Sequence, residues 1–186
     1  MKIGYVIRDL MSVPSGVGEG NAITIEYDNS RKPLGLPTGS WTRVLETASQ
    51  KQGVKNYILY DQKARPARVV TLYPDNGKTI TDTEFNFIGD PNYTLTTHKK
   101  NASTDELKIK ETYTYTAQGR LNFVRHQINN ESPRILSLNT YDDLGRLLIK
   151  RVGRTSVLSS DELQIVDYKY NIRGWLTDIN NINNLN

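Results

Sequence analysis

The sequence predicts an all-β chain, a long antiparallel meander of hairpins, on three observations. A short pattern recurs: Tyr-x-x-x-Gly-Arg-Leu at 115–121 (YTAQGRL) and 141–147 (YDDLGRL), with one change at 170–176 (YNIRGWL) and degraded at 60–65 (YDQKAR). Turn signals rich in Gly, Pro, Asn and Asp follow one another roughly every 13 to 16 residues, close to the spacing of an all-β chain. Eleven Tyr, with abundant Thr, Val and Ile, favour strands. A unit recurring at this length signals an array in which each unit packs on its neighbours.

Taken in order, the turns fall at 61–64, 74–77, 88–91, 100–105, 116–119, 129–133, 142–145, 158–162 and 171–174. Strand-like runs lie between them, at 68–73, 79–87, 109–115 and 135–141. The nearest approach to a helix is 42–52, which is short and lacks a clean apolar stripe. Alternate turns carry the Tyr pattern. Between Tyr60 and Tyr115 the slot is filled by Phe85-Asn86-Phe87-Ile88-Gly89, a shortened aromatic version. The full unit is then two strands and two turns, roughly 26 to 29 residues. The other turns are longer and more polar (KKNASTD, NNESP, LSSDE). One edge therefore has standardised tight turns, and the opposite edge has variable loops.

The pattern has a physical reading. Asp61, Thr116, Asp142 or Asn171 stands first in the turn, where a short polar side chain can bond the turn backbone. Gly119, Gly145 and Gly174 then suit a type I turn closed by a left-handed residue and a bulge. Ala64 stands where Gly is wanted, and a left-handed Ala costs about 1–2 kcal/mol, so that turn is expected to relax to another type. The turn sets Tyr115 opposite Leu121, Tyr141 opposite Leu147 and Tyr170 opposite Leu176, pairs contributing about 0.2–1 kcal/mol each. Alternation extends the same face to Tyr113, Phe123, Ile149 and Tyr168. Arg65, Arg120 and Arg146 are each expected to lie over a neighbouring Tyr ring, for about 0.5–1 kcal/mol when exposed. Stacked units give a Tyr ladder along one side of the sheet.

Composition excludes some functions. There is no Cys, hence no disulfide framework and no thiolate chemistry. The formal charge of +4 is spread along the chain, which reads as a solvated surface and not as a nucleic-acid partner's footprint. The first residues (MKIGYVIRDLM) hold too short an apolar run for a signal peptide, and no run approaches the ~20 apolar residues of a membrane span.

Candidate chemistry is sparse, and no catalytic, metal or cofactor residue is assigned. The run GVGEG at 16–20 precedes a strand-like 22–27 and lacks the helix that a phosphate loop requires. His98 and His126 lie in different hairpins, without a carboxylate at helical spacing. Asp61 and Asp142 are accounted for by the turn, and Asp143 holds a free turn position. Trp41 is expected to pack at the start of a strand. Trp175 replaces the pattern's Arg and is expected to fill its space. An exposed Trp and Tyr row could alternatively hold sugars. The Asn-rich stretch 180–186 reads as the beginning of a further strand.

These residues resemble the Rhs/YD-repeat family. YDDLGRL is a near-ideal YD unit, and YTAQGRL and YNIRGWL are similar to accepted variants. The segments PLGLPTGSW, YILYDQKARP, FNFIG, YTYTAQGRL and YNIRGWL resemble Rhs-type proteins of Bacteroidota. The resemblance covers 32–186, while 1–31 resembles nothing recognisable.

It implies an arc of a coiled β-sheet shell or barrel, of about five repeat slots, fewer than such shells contain. It further implies a non-enzymatic segment of a secreted or cell-surface protein that encloses or presents a toxin or effector domain. The implied partners are further repeats or an enclosed C-terminal domain, and self-association in isolation. The Pro- and Gly-rich motif usual near the family's C-terminal end is missing, as is the variable toxin domain after it. The alternative is a module binding carbohydrate or a cell-surface protein, and the remote alternative is a toxin enzyme.

Overall fold

The computed structural model describes residues 3–5, 25–27, 35–43 and 52–180. Strands and turns account for these residues, and no helix occurs among them. The strands are β1 (Ile3–Tyr5), β2 (Ile25–Tyr27), β3 (Gly39–Arg43), β4 (Gly53–Tyr60), β5 (Pro66–Leu72), β6 (Lys78–Phe85) and β7 (Pro91–Lys99). They continue with β8 (Leu107–Tyr115), β9 (Leu121–Ile128), β10 (Arg134–Tyr141), β11 (Leu147–Arg154), β12 (Gln164–Tyr170) and β13 (Leu176–Ile179). β3 to β13 form one 11-stranded sheet in strict sequence order, and the order does not close on itself. The chain is thus an all-β meander, as the turn rhythm predicts. The strand-like runs at 68–73, 79–87, 109–115 and 135–141 fall on β5, β6, β8 and β10.

Two elements lie outside the turn rhythm. β1 and β2 pair in parallel, with Ile3 opposite Ile25, a contact no periodicity announces. The helix-like stretch begins inside β3, at Thr42 and Arg43, and 44–51 lie outside the described residues. The GVGEG run and the stretch 181–186 also lie outside them.

The contacts divide the chain into two compact units, Met1–Ile109 and Lys110–Asn186. In the first, antiparallel register builds straight rows of side chains across four strands. Tyr57, Val70, Ile80 and Thr97 stand opposite one another on β4, β5, β6 and β7. All four are buried, Val70 and Ile80 almost completely. Each such aliphatic side chain contributes about 1.5–3 kcal/mol. Leu59, Tyr60 and Ala67 complete the core, with Leu36, Ile58 and Leu72 packed against it. β1 lies against β4.

The next row holds the least expected pair. Arg68 on β5 faces Asp82 on β6, and both are essentially inaccessible to water. The Arg68 guanidinium donates through Nε to Asp82 Oδ1 (2.5 Å) and through Nη2 to Asp82 Oδ2 (2.7 Å). This two-pronged match of planar fork and carboxylate is the geometry in which Arg binds an anion best. Fully buried charges persist only when paired in this way.

The second unit buries less. Among the described residues Val124 on β9 and Ile135 on β10 are its buried hydrophobic residues, and Arg154 closes β11 beside Glu162 (3.5 Å).

Candidate functional site

The candidate site is the edge that carries the repeated turns. Five hairpins carry these turns: β4–β5 and β6–β7 in the first unit, and β8–β9, β10–β11 and β12–β13 with their turns in the second. In each, the amide after the aromatic residue donates to a carbonyl four residues on. The pairs are Asp61 to Arg65 (2.8 Å), Asn86 to Asp90 (2.8 Å), Thr116 to Arg120 (2.8 Å), Asp142 to Arg146 (3.0 Å) and Asn171 to Trp175 (2.9 Å). The polar first residue caps the turn from within. The Arg65 amide donates to Asp61 Oδ1 (2.9 Å) and the Arg120 amide to Thr116 Oγ1 (3.2 Å). Likewise the Arg146 amide donates to Asp142 Oδ1 (2.7 Å), and the Trp175 amide to Asn171 Oδ1 (2.9 Å).

The fourth turn position is left-handed. Gly119, Gly145 and Gly174 have φ of 77°, 82° and 80°. The β4–β5, β6–β7, β10–β11 and β12–β13 turns each end in a strand bulge, as this turn type requires.

Two expectations are corrected here. Ala64 does not relax to another turn type: it adopts φ 62°, and its amide bonds the Asp61 carbonyl as Gly145 bonds Asp142. The caps from Asp61 and the forward grip of Arg65 hold the turn in shape against the cost of the left-handed Ala. The slot at Phe85 is not shortened. Asn86 caps the amides of Gly89 and Asp90 (2.8 and 2.9 Å), and Phe85 stands opposite Pro91. Asp90 and Pro91 occupy the Arg and Leu positions, which disguises a full-length unit in the sequence.

The expected pairs Tyr141–Leu147 and Tyr170–Leu176 are in register. Strict alternation fails at two points: Ile149 stands opposite Thr140 and Phe123 opposite Leu138, so neither shares the Tyr141 face.

The Arg side chains do more than cover a ring. Arg65 lies over Phe85 (4.6 Å), Arg120 over Tyr141 (5.9 Å) and Arg146 over Tyr170 (5.0 Å), each the aromatic residue of the following unit. Arg65 Nη1 donates to the Asn86 carbonyl (3.0 Å), and Arg146 Nη1 to that of Asn171 (3.3 Å). Each of these two guanidiniums is steadied by its own turn: Arg65 Nε donates to Asp61 Oδ2 and Arg146 Nε to Asp142 Oδ2, both at 2.6 Å. The aromatic residue reaches the other way. Tyr141 Oη donates to the Leu121 carbonyl (2.8 Å), Tyr170 Oη to that of Leu147 (3.0 Å) and Tyr60 Oη to that of Pro37 (2.6 Å). The junctions at Tyr141 and Tyr170 are therefore clasped in both directions, and the junction at Phe85 by Arg65 alone.

The sequence reading missed the Asp–Arg ion pair and the backward hydroxyl. The four-residue spacing of Asp61 to Arg65 and Asp142 to Arg146 was the available signal.

Tyr115, Tyr141 and Tyr170 are half-buried, so the Tyr side is neither a sealed core nor an open groove. The free turn positions carry the exposure instead, at Phe87, Ile88, Leu144 and Ile172. Trp175 is 64% exposed, with Arg173 over its ring (5.7 Å), so it does not fill the Arg position as a packed residue. Trp41 stands mid-strand in β3 and is 51% exposed, contrary to the packed position expected.

His98 Nδ1 shares a hydrogen bond with Thr79 Oγ1 (2.8 Å), and its ring meets Tyr73 edge-on. His126 faces Arg134 across β9 and β10. Among the described residues no group of three His, Cys, Asp or Glu converges as a metal site. The polar groups at this edge hold backbone and neighbouring units, and that is the chemistry the arrangement performs. Compared with protein-family models, curated proteins and solved structures, the chain gives no match.

The clasp has an acid limit. Partial burial pushes the Asp142 carboxyl up. Hydrogen bonds from the Arg146 amide, the Arg146 guanidinium and the Leu144 amide outweigh it and hold Asp142 below the usual carboxylate range. A lowered folded value means the contribution is complete above the unfolded value of about 3.9 and is lost as pH falls through the folded one. Urea midpoints measured from pH 7 downwards should show Asp142→Asn less stable than the parent at neutral pH. The two curves should converge in strong acid.

Proposed function

We propose that the chain is a non-enzymatic structural segment of an Rhs/YD-type shell, a wall that encloses or presents a toxin or effector domain. The observation that carries this reading is the two-way clasp, in which Arg grips the following unit and Tyr the preceding one. Such a device transmits order from unit to unit, as a quasi-one-dimensional array requires. It commits the conspicuous Asp, Arg and Tyr side chains to architecture.

Among the described residues β13 is the last strand. Leu121 and Leu147 each accept the hydroxyl of the next Tyr. Among the described residues no Tyr does so for Leu176. Among the described residues β3 and β13 end the sheet and are exposed along their lengths, and an edge of this kind recruits other strands. Sedimentation velocity at rising concentration should show self-association; a monodisperse monomer throughout would contradict the open-edge reading. The purified chain should not turn over nucleic acid, NAD or peptide substrates. Reproducible turnover of any of them, removed by a point substitution, would replace this reading by the toxin-enzyme alternative.

A second reading, a carbohydrate- or cell-surface-binding module, draws support from the exposed apolar side chains at the free turn positions. A glycan array with Phe87→Ser and Ile172→Ser variants tests it: hits lost in the variants support it, and no hit above background opposes it.

A further inference from the structure

Away from the repeated turns, register gathers a set of residues that are far apart in the sequence. Trp41 faces Lys55, Lys55 faces Leu72, Leu72 faces Lys78, and Lys78 faces Lys99, one row across β3 to β7. Residues directly opposite in a sheet share a face. With strands about 4.8 Å apart, the three lysines span about 14 Å.

The row borders an open depression of about 420 Å³ lined by Trp41, Gln52, Lys55, Tyr73, Asn76 and Lys78, with no carboxylate in its lining. Gly53 lies under the indole, where a Cβ would strike the ring, so one face of Trp41 rests on backbone. Tyr73 is held by Thr79 and by the edge of His98, which leaves Trp41 as the stacking platform.

The charges are under-compensated. Lys78 and Lys99 are like charges directly opposite, an unfavourable pair. The nearest carboxylate, Glu106, is shared between Lys78 (3.9 Å) and Lys108 (3.6 Å). Lys55 and Lys99 have no ion pair among the described residues. A flat platform, two flanking amides and a line of cations are the elements that hold a stacked base and its phosphates.

We propose that this row, at the open end of the face beyond the core, binds a short single-stranded nucleic acid, one base stacked on Trp41 and successive phosphates laid along Lys55, Lys78 and Lys99. The spread of charge along the sequence conceals the site because the cations lie on three different strands.

Fluorescein-labelled oligo(dT) of eight nucleotides, titrated with the full chain in an anisotropy assay, tests it. Saturable binding is expected, with a log–log salt slope of about −2 for three phosphates. Trp41→Ala should weaken binding at least tenfold with the slope unchanged. Lys78→Gln should reduce the slope by about 0.7. Trp175→Ala should bind like the parent, and circular dichroism should show all variants folded. Absence of saturable binding would overturn the proposal. So would a Trp41→Ala variant that binds like the parent, or a heparin fragment or tripolyphosphate binding as tightly as the oligonucleotide, which would mark a general anion or acidic-glycan surface.

Discussion

Replacing Asp82 by Ala should lower the unfolding free energy by about 3–5 kcal/mol, measured by urea denaturation. The loss is large because the partner stays behind. Arg68 is 1% exposed, so the truncated site leaves a guanidinium in the core without its carboxylate. Leu59 and Leu95 flank the pair within its row, and Val70 with Ile80 form the next row, which leaves water little room to replace it. Removing both charges is a different experiment. The double variant Arg68→Leu with Asp82→Leu should recover most of the loss, because a buried pair contributes little net stability beyond an apolar pair of similar volume. Equal destabilisation by the single and double variants would mean that the row depends on the charges themselves.

The second large effect is expected at Gly145. Its φ of 82° costs a substituted residue about 1–2 kcal/mol. A Cβ there would also fall on the Arg120 guanidinium and push it from the Tyr141 ring. Loss of that contact adds about 0.5–1 kcal/mol, so Gly145→Ala should cost about 2 kcal/mol in urea unfolding. Gly119 and Gly174 separate the two contributions. Both are left-handed, but a Cβ at either meets nothing within 4 Å, so their Ala variants should show the backbone cost alone. Ala64→Gly reverses the sign and should stabilise by about 0.5–1 kcal/mol, since Ala64 already bears that cost. Equal losses at all three glycines would remove Arg120 from the account.

Much of this edge was legible in the sequence because local chemistry determines it. A polar residue, two free positions and Gly specify the turn, and the turn fixes the Tyr–Leu register. Arg over a Tyr ring was expected and holds for Arg120 and Arg146, while Arg65 covers Phe85 instead.

What escaped the sequence depends on partners distant along the chain. Asp90 and Pro91 hid a complete unit because backbone hydrogen bonds, not side-chain identity, define it. Ala64 in a left-handed turn was hidden because caps and clasp override an intrinsic preference. Arg68 and Asp82 look like ordinary polar strand positions until register sets them face to face under cover. Lys55, Lys78 and Lys99 likewise become a row only through pairing. The parallel β1–β2 pair has no local signature in either three-residue strand.

The central claim is that neighbouring units are physically coupled through the turn edge. A double-mutant cycle on Arg146→Met and Tyr170→Leu, read by urea unfolding, measures that coupling directly. A coupling free energy of about 0.5–1 kcal/mol is predicted from the cation–π contact, and it should persist in high salt because the Tyr ring is half-buried. Strict additivity of the two substitutions would mean that the units merely adjoin, and it would contradict the clasped-wall account.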